Sequence, residues 1–245
     1  MLKLMVSSAT YRQSSKVNPE LNLKDPQNRW LARGPQYRLS AETIRDNILA
    51  ISGLLVPKIG GPSVKPYQPP GLWLEISSGR GTARYEVGRG DELYRKSLYT
   101  FWKRTIPPPS MITFDAATRN YCVVKRQTTS TPLQALVLLN DPQIIEASRA
   151  FAERMITEGG ETPVSRIQFG FRTATSRYPK DKELEVLAEI LVIEQVTYEN
   201  DPEAAKALLS VGERSIVKYY KSSELAAYTV VASAILNLDE TITKY

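Results

Sequence analysis

Thr131-Pro132-Leu133-Gln134-Ala135-Leu136-Val137-Leu138-Leu139-Asn140-Asp141-Pro142 is the stretch on which the fold turns. Thr131 and Asp141 carry side-chain oxygens that can accept from the free N–H groups of a helix's first turn. The proline after each has its φ already set for that turn and no N–H to leave unpaired. The stretch therefore reads as a helix from Pro132, a stop, and a second helix from Pro142. Leu133, Leu136, Val137 and Leu139 supply apolar spacing in the first, and Ile144, Ile145, Ser148 and Ala152 in the second. The same opening recurs at Thr162-Pro163, ahead of Val164, Ile167 and Phe171, and at Asp201-Pro202. Lys182 to Val196 puts Leu184, Leu187, Ala188 and Leu191 on one face, and Ser222 to Leu236 is rich in alanine and valine. No heptad persists and no longer period repeats, so residues 132–245 are expected to form a compact helical bundle.

Working back toward the N-terminus, residues 1–131 are punctuated by Gly34-Pro35, Pro57, Gly60-Gly61-Pro62, Pro66, Pro69-Pro70-Gly71 and Pro107-Pro108-Pro109, which mark turns and extended connections. Between them, Ser40 to Leu55 reads as a helix: Ser40 caps it, Ile44, Ile48, Ile51 and Leu55 share a face, and Gly53 and Pro57 end it. Leu72–Ile76 and Arg84–Val87 read as a small β-hairpin, and the GxG triplets at Gly79 and Gly88 as turns. Tyr94 to Lys103 fits a helix face or a strand, and its β-branched and aromatic residues favour the extended form. The expected fold class is mainly α: an irregular Pro/Gly-rich first half with a helix and a small β-hairpin, followed by the bundle.

Composition excludes more than it assigns. There is no histidine, which removes Ser-His-Asp and Cys-His catalysis, HExxH zinc sites and haem ligation by histidine. The single cysteine, Cys122, permits no internal disulfide or CxxC pair, and its apolar neighbours suggest a buried, inert thiol. No metal-ligand spacing stands out. Of the net charge of +6, residues 1–131 carry 20 Lys/Arg against 9 Asp/Glu, and residues 132–245 carry 12 against 17. A basic half joined to an acidic half implies either an anionic partner or docking of the halves on each other. No apolar run is long enough to span a membrane, and the one at the start is too short for a signal peptide.

Several stretches read as fixed phrases: Ser8-Ala9-Thr10-Tyr11-Arg12, Leu31-Ala32-Arg33-Gly34-Pro35, Arg38-Leu39-Ser40-Ala41-Glu42-Thr43-Ile44-Arg45-Asp46, Gly60-Gly61-Pro62-Ser63-Val64-Lys65-Pro66-Tyr67, Tyr94 to Thr105, Thr113-Phe114-Asp115-Ala116, and the opening stretch 131–142. Together they resemble the planctomycete-specific domain family of the PSD-one type, a domain of unknown function, over nearly the whole of residues 1–245. The resemblance implies an exported, extracytoplasmic, multidomain protein. Such proteins carry upstream domains of the same polypeptide and often a cytochrome-c-like module that would hold any haem, and they occur in bacteria that degrade sulfated polysaccharides. In the family the Tyr11-Arg12 phrase follows a preceding helix, so this chain resembles a carboxy-terminal portion, incomplete at its N-terminus.

The cluster with chemical potential is basic. Arg12, Arg38, Arg45, Arg95, Lys103 and Arg104, with Tyr67 and Trp102 among them, combine planar donor forks for sulfate or carboxylate with aromatic faces for sugar rings. Arg29, Arg33, Lys96, Arg119, Lys125 and Arg126 extend it. The competing reading makes several of these arginines internal braces paired to Glu42, Asp46, Asp91, Glu92 and Asp115, with the aromatics as core. Two function classes follow. One is a non-catalytic module that binds or scaffolds, facing an anionic polysaccharide or a neighbouring domain. The other is part of a carbohydrate-acting enzyme, with Asp115 and Glu42 or Asp46 as acid and base. Nucleic acid is disfavoured, because no recognition motif accompanies the basic pI.

Overall fold

The computed structural model describes residues 1–73, 85–216 and 220–244. The described helices, in chain order, are α1 (Leu2–Ser7), α2 (Pro19–Lys24), α3 (Ala41–Ser52), α4 (Pro109–Thr113), α5 (Pro132–Asn140), α6 (Pro142–Glu158), α7 (Pro163–Thr175), α8 (Asp181–Asn200), α9 (Pro202–Leu209), α10 (Ser222–Leu236) and α11 (Asp239–Ile242). Two short strands, β1 (Tyr37–Arg38) and β2 (Thr243–Lys244), pair antiparallel. The fold is mainly α, as the sequence leads one to expect.

Local chemistry sets the helix starts. Prolines 132, 142, 163 and 202 each occupy the first turn of a helix. Asp141 accepts from Gln143 N, Asp201 from Ala204 N, and Thr162 forms a reciprocal capping box with Ser165. Ser40 caps α3 by accepting from Thr43 N, and Gly53 ends it at φ +77°, a left-handed conformation that a side chain would strain.

α10 is the centre of the molecule. Leu225, Ala226, Ala227, Tyr228, Val231, Ala232, Ile235 and Leu236 are all buried, so it is apolar nearly all round and must be covered on several sides. α5, α6, α7, α8 and α9 supply that cover. α3 from the first half packs on α6, so Ile44, Ile48 and Leu49 share one core with Ala147, Phe151 and Met155. The basic and acidic halves are therefore docked on each other. The chain end returns to the first half as well: β1 pairs with β2, and Leu39 N donates to Ile242 O at 2.9 Å.

Four local expectations need correction, the first being the cap at Thr131, whose side chain makes no cap bond and leaves the start of α5 to Pro132. Tyr94–Lys103 is not a strand: short 3₁₀ turns at Gly90–Tyr94 and Ser97–Tyr99 alternate with isolated bridges from Arg95 to Val56 and from Thr100 to Val64. The backbone there is pinned by side chains, as when Ser97 N donates to Asp46 at 2.7 Å, so no neighbouring strand is required. Cys122 is exposed, because residues 119–133 form an exposed stretch that lies over no core. On α5, Gln134 and Leu138 turn inward with Val137 half-buried against the core, while Leu133, Leu136 and Leu139, read with Val137 as one apolar set, face out. The hairpin at 72–87 falls largely on residues 74–84, outside the described residues, as does the turn at Gly79.

Candidate functional site

The motif-rich first half places most of its arginines inside the structure. Arg45, on α3 and 13% exposed, donates from Nε to Gln143 Oε1 at 2.6 Å and from Nη2 to Leu93 O at 2.8 Å. Its Nη1 reaches Arg95 O at 2.8 Å and Ser97 Oγ at 3.1 Å. Burial lowers its pKa to about 10, against the pull of Asp46 and Asp141. Arg95, 5% exposed, donates to the carbonyls of Pro62 and Lys58 at 3.1 Å and of Gly60 at 2.5 Å, and lies 3.9 Å over the Tyr99 ring. Arg38 donates to Gln134 Oε1 at 2.8 Å and approaches Asp239 at 3.5 Å. Five donors on a planar fork suit this work, since one guanidinium can satisfy several loop carbonyls that no ladder serves.

The aromatic members are also occupied. Tyr67 Oη accepts from Glu213 N at 2.8 Å, and burial, with the nearby Glu146 charge, raises its pKa to about 12. Trp102 Nε1 donates to Thr118 O at 3.4 Å beneath the Arg119 guanidinium, and Lys103 sits 4.6 Å over the Trp73 ring. Arg12 and Arg104 are exposed and have no side-chain partner among the described residues.

Each candidate carboxylate has a partner too. Burial pushes Glu42 up, but the Arg126 guanidinium at 2.7 Å, together with the Glu42 backbone N–H and the Ser40 hydroxyl, holds the carboxyl below its usual range. Asp46 accepts from Ser97 N. Asp115, at φ +59°, accepts from both Thr129 N at 2.7 Å and Thr129 Oγ1 at 2.8 Å. Asp115 and Arg126 border one surface cleft of about 450 Å³ with Ile112, Tyr121 and Lys125, and Glu42 reaches it through Arg126. Asp46 instead faces the 93–97 turn. Beneath α3 a cavity of about 40 Å³, lined by Ile44, Ile48, Met111, Phe114, Arg45 and Asp141, has room for water but not for a sugar ring.

Sequence reasoning missed the buried polar residues that organise this region. Gln134, 1% exposed, donates to Thr113 O at 3.0 Å and Thr129 Oγ1 at 3.1 Å while accepting from Arg38, so it ties α5 to α4 and β1. Its signal was a single amide in the interior of a helix whose other polar residue, Asn140, is its last. Glu146, fully buried on α6, accepts from Tyr94 Oη at 2.9 Å and Arg214 N at 2.7 Å, and Arg149 donates to Leu209 O and Arg214 O. These residues hold the 210–216 loop against the bundle. With Gln134 inside, α5 turns out Leu133, Leu136 and Leu139, which are 57%, 54% and 42% exposed. No group of acidic, cysteine or histidine side chains suited to a metal occurs among the described residues, and no described helix is long and apolar enough to cross a membrane.

The family model PSD1, described as a protein of unknown function (DUF1553), matches residues 1–191. Neither a curated protein nor a solved structure matches the chain.

Proposed function

The chain belongs to this family of proteins of unknown function, and from that footing we propose that it is a non-catalytic docking module. It seats a neighbouring domain on the leucine face of α5. The observation that carries this reading is the inversion of α5: a polar Gln134 is buried while three leucines face outward. A surface helix ordinarily does the opposite, and an apolar face rimmed by polar groups is the usual mark of an interaction site. By the family resemblance, the neighbour is an upstream domain of the same exported polypeptide.

One oxygen of each of Glu42, Asp46 and Asp115 is committed to an internal partner, and Asp46 faces away from the cleft beside Asp115, which supports a bracing role for these carboxylates over a paired acid and base. A second reading has its own support. The cleft beside Asp115 presents Lys125, Arg126 and Tyr121, a combination suited to a sulfate or uronate group on a sugar.

The test is a binding measurement between this chain and separately expressed upstream domains of its polypeptide. Association is expected, with loss of at least tenfold in affinity for the Leu133→Asp/Leu136→Asp variant, where about 1.4 kcal/mol corresponds to each factor of ten. No association, or equal association by the variant, overturns the docking reading. In the same experiment, a sulfated oligosaccharide that binds at low salt and is lost on Lys125→Glu supports the second reading, and no binding rejects it.

A further inference from the structure

The acidity of the second half is concentrated on one helix. α8 carries six carboxylates and one lysine, while the rest of residues 132–245 holds eleven of each sign. Leu187 and Leu191 turn inward, and α8 packs on α10, α7 and α9. The opposite face displays Glu185, Val186, Glu189, Val192, Ile193 and Val196, because these positions recur at helical spacing a half-turn from the buried leucines. Its four β-branched residues are 48%, 63%, 54% and 53% exposed. Glu183 and Glu199 are neutralised by Arg177 and Lys221. Glu185 and Glu189 make no ion pair among the described residues. This face is a strip of aliphatic surface carrying two uncompensated negative charges.

The 119–126 stretch has the complementary character. Arg119, Lys125 and Arg126 lie within it with no carboxylate, and Tyr121, Val123 and Val124 are 72%, 47% and 109% exposed. Arg126 is partly committed to Glu42, whereas Lys125 has no partner among the described residues. Valine and tyrosine side chains in water beside positive charges match valine and isoleucine side chains beside negative charges.

We infer that the exposed face of α8 takes residues 119–126 of a second copy of this chain. Apolar contact between Tyr121, Val123, Val124 and Val186, Val192, Val196 would supply most of the attraction. Arg119 and Lys125 opposite Glu185 and Glu189 would fix the register and speed encounter. The two surfaces differ, so the contact is head to tail, and copies join into a ring or an open chain depending on the rotation between them. This goes beyond the docking role of α5, which uses neither surface.

Light scattering over a dilution series tests it with the whole chain. At low salt the mass is expected to rise with concentration above the 27.5 kDa of one copy, and high salt is expected to lower it. Two exposed-surface variants, Arg119→Glu/Lys125→Glu and Glu185→Lys/Glu189→Lys, are each expected to stay at one copy, because like charges then face each other. Mixing the two variants is expected to restore assembly, since the acidic stretch of one then meets the basic helix of the other. An unmixed chain that stays at 27.5 kDa at every concentration, or single variants that assemble like the parent, would overturn the inference. Upstream-domain binding by these variants reports separately on α5, so the two ideas fail independently.

Discussion

Replacing Arg45 by alanine distinguishes a brace from a ligand contact. Its guanidinium satisfies Leu93 O, Arg95 O, Ser97 Oγ and Gln143 Oε1. Leu93 O keeps a second donor, Gln143 Nε2 at 2.6 Å, so it survives the loss. Arg95 O and Gln143 Oε1 lose the bond that Arg45 gives them, and a buried unsatisfied acceptor costs about 1–3 kcal/mol. With the packing of the side-chain stem added, Arg45→Ala is expected to cost about 3–5 kcal/mol, a large share of a typical stability of about 5–15 kcal/mol. In a chain of this size that is a fall in Tm of about 6–20 °C. Arg45→Lys, which keeps the charge but cannot fork to spread acceptors, is expected to lose about half as much and so remain measurable if alanine fails to fold. Urea unfolding followed by circular dichroism, with calorimetry for Tm, reads both. An alanine variant within about 1 kcal/mol of the parent would refute the reasoning and return Arg45 to the pool of ligand-binding residues.

Four further outcomes are expected. Gly212→Ala, at φ +91° and with its new methyl directed into the Glu146 carboxylate, should destabilise by about 2 kcal/mol or more and raise proteolysis within 210–216; an unchanged Tm would show that the loop is not held there. Asp115→Asn should keep the left-handed backbone, lose about 1 kcal/mol from the weakened Thr129 contacts, and leave any activity of the polypeptide intact, whereas abolished activity would favour the enzyme reading. The Arg177 guanidinium holds Glu183 down to about 2, below its unfolded value, so its contribution is present above the ordinary carboxylate range and fades as pH falls toward 2. Glu183→Gln should therefore lower Tm at neutral pH and converge with the parent chain in strong acid; parallel curves would contradict the pairing. In dilute solution at high salt, where copies stay separate, Cys122 should react with a maleimide in the native chain as fast as a free thiol, and protection there until denaturant is added would mean that the chain itself covers the 119–133 stretch.

Helix starts were the most legible part of the fold, because capping and the fixed φ of proline are local effects. Pro132, Pro142, Pro163 and Pro202 each begin a helix, and Ser40 with Gly53 bounds α3. Spacing gave the inward face of α7 and α8, at Ile167, Phe171, Leu187 and Leu191, but not that of α5. On α5 nearly every position is apolar, so periodicity is flat, and the choice falls to Gln134, whose partners Arg38, Thr113 and Thr129 lie on three other segments. The Tyr94–Lys103 stretch escaped for a related reason: its conformation is set by Arg45, Asp46 and the carbonyl cage around Arg95, tertiary bonds with no trace in local propensity. For the candidate site, the sequence could not show how its arginines and carboxylates are employed. The internal-brace reading describes Arg45 and Arg95 directly, through backbone carbonyls more than through the carboxylates first suggested. Burial of Glu146 was invisible because its partners, Tyr94 Oη and Arg214 N, are distant in the chain.

The docking role of α5 is tested most directly by placing a photoreactive side chain at Leu136 in the polypeptide as the cell makes it. Irradiation should yield a covalent product between position 136 and a neighbouring domain, with little product even from a more exposed control position such as Ile59. Equal labelling at both positions, or position 136 reacting with solvent alone, would contradict the claim that the leucine face of α5 is an occupied docking surface.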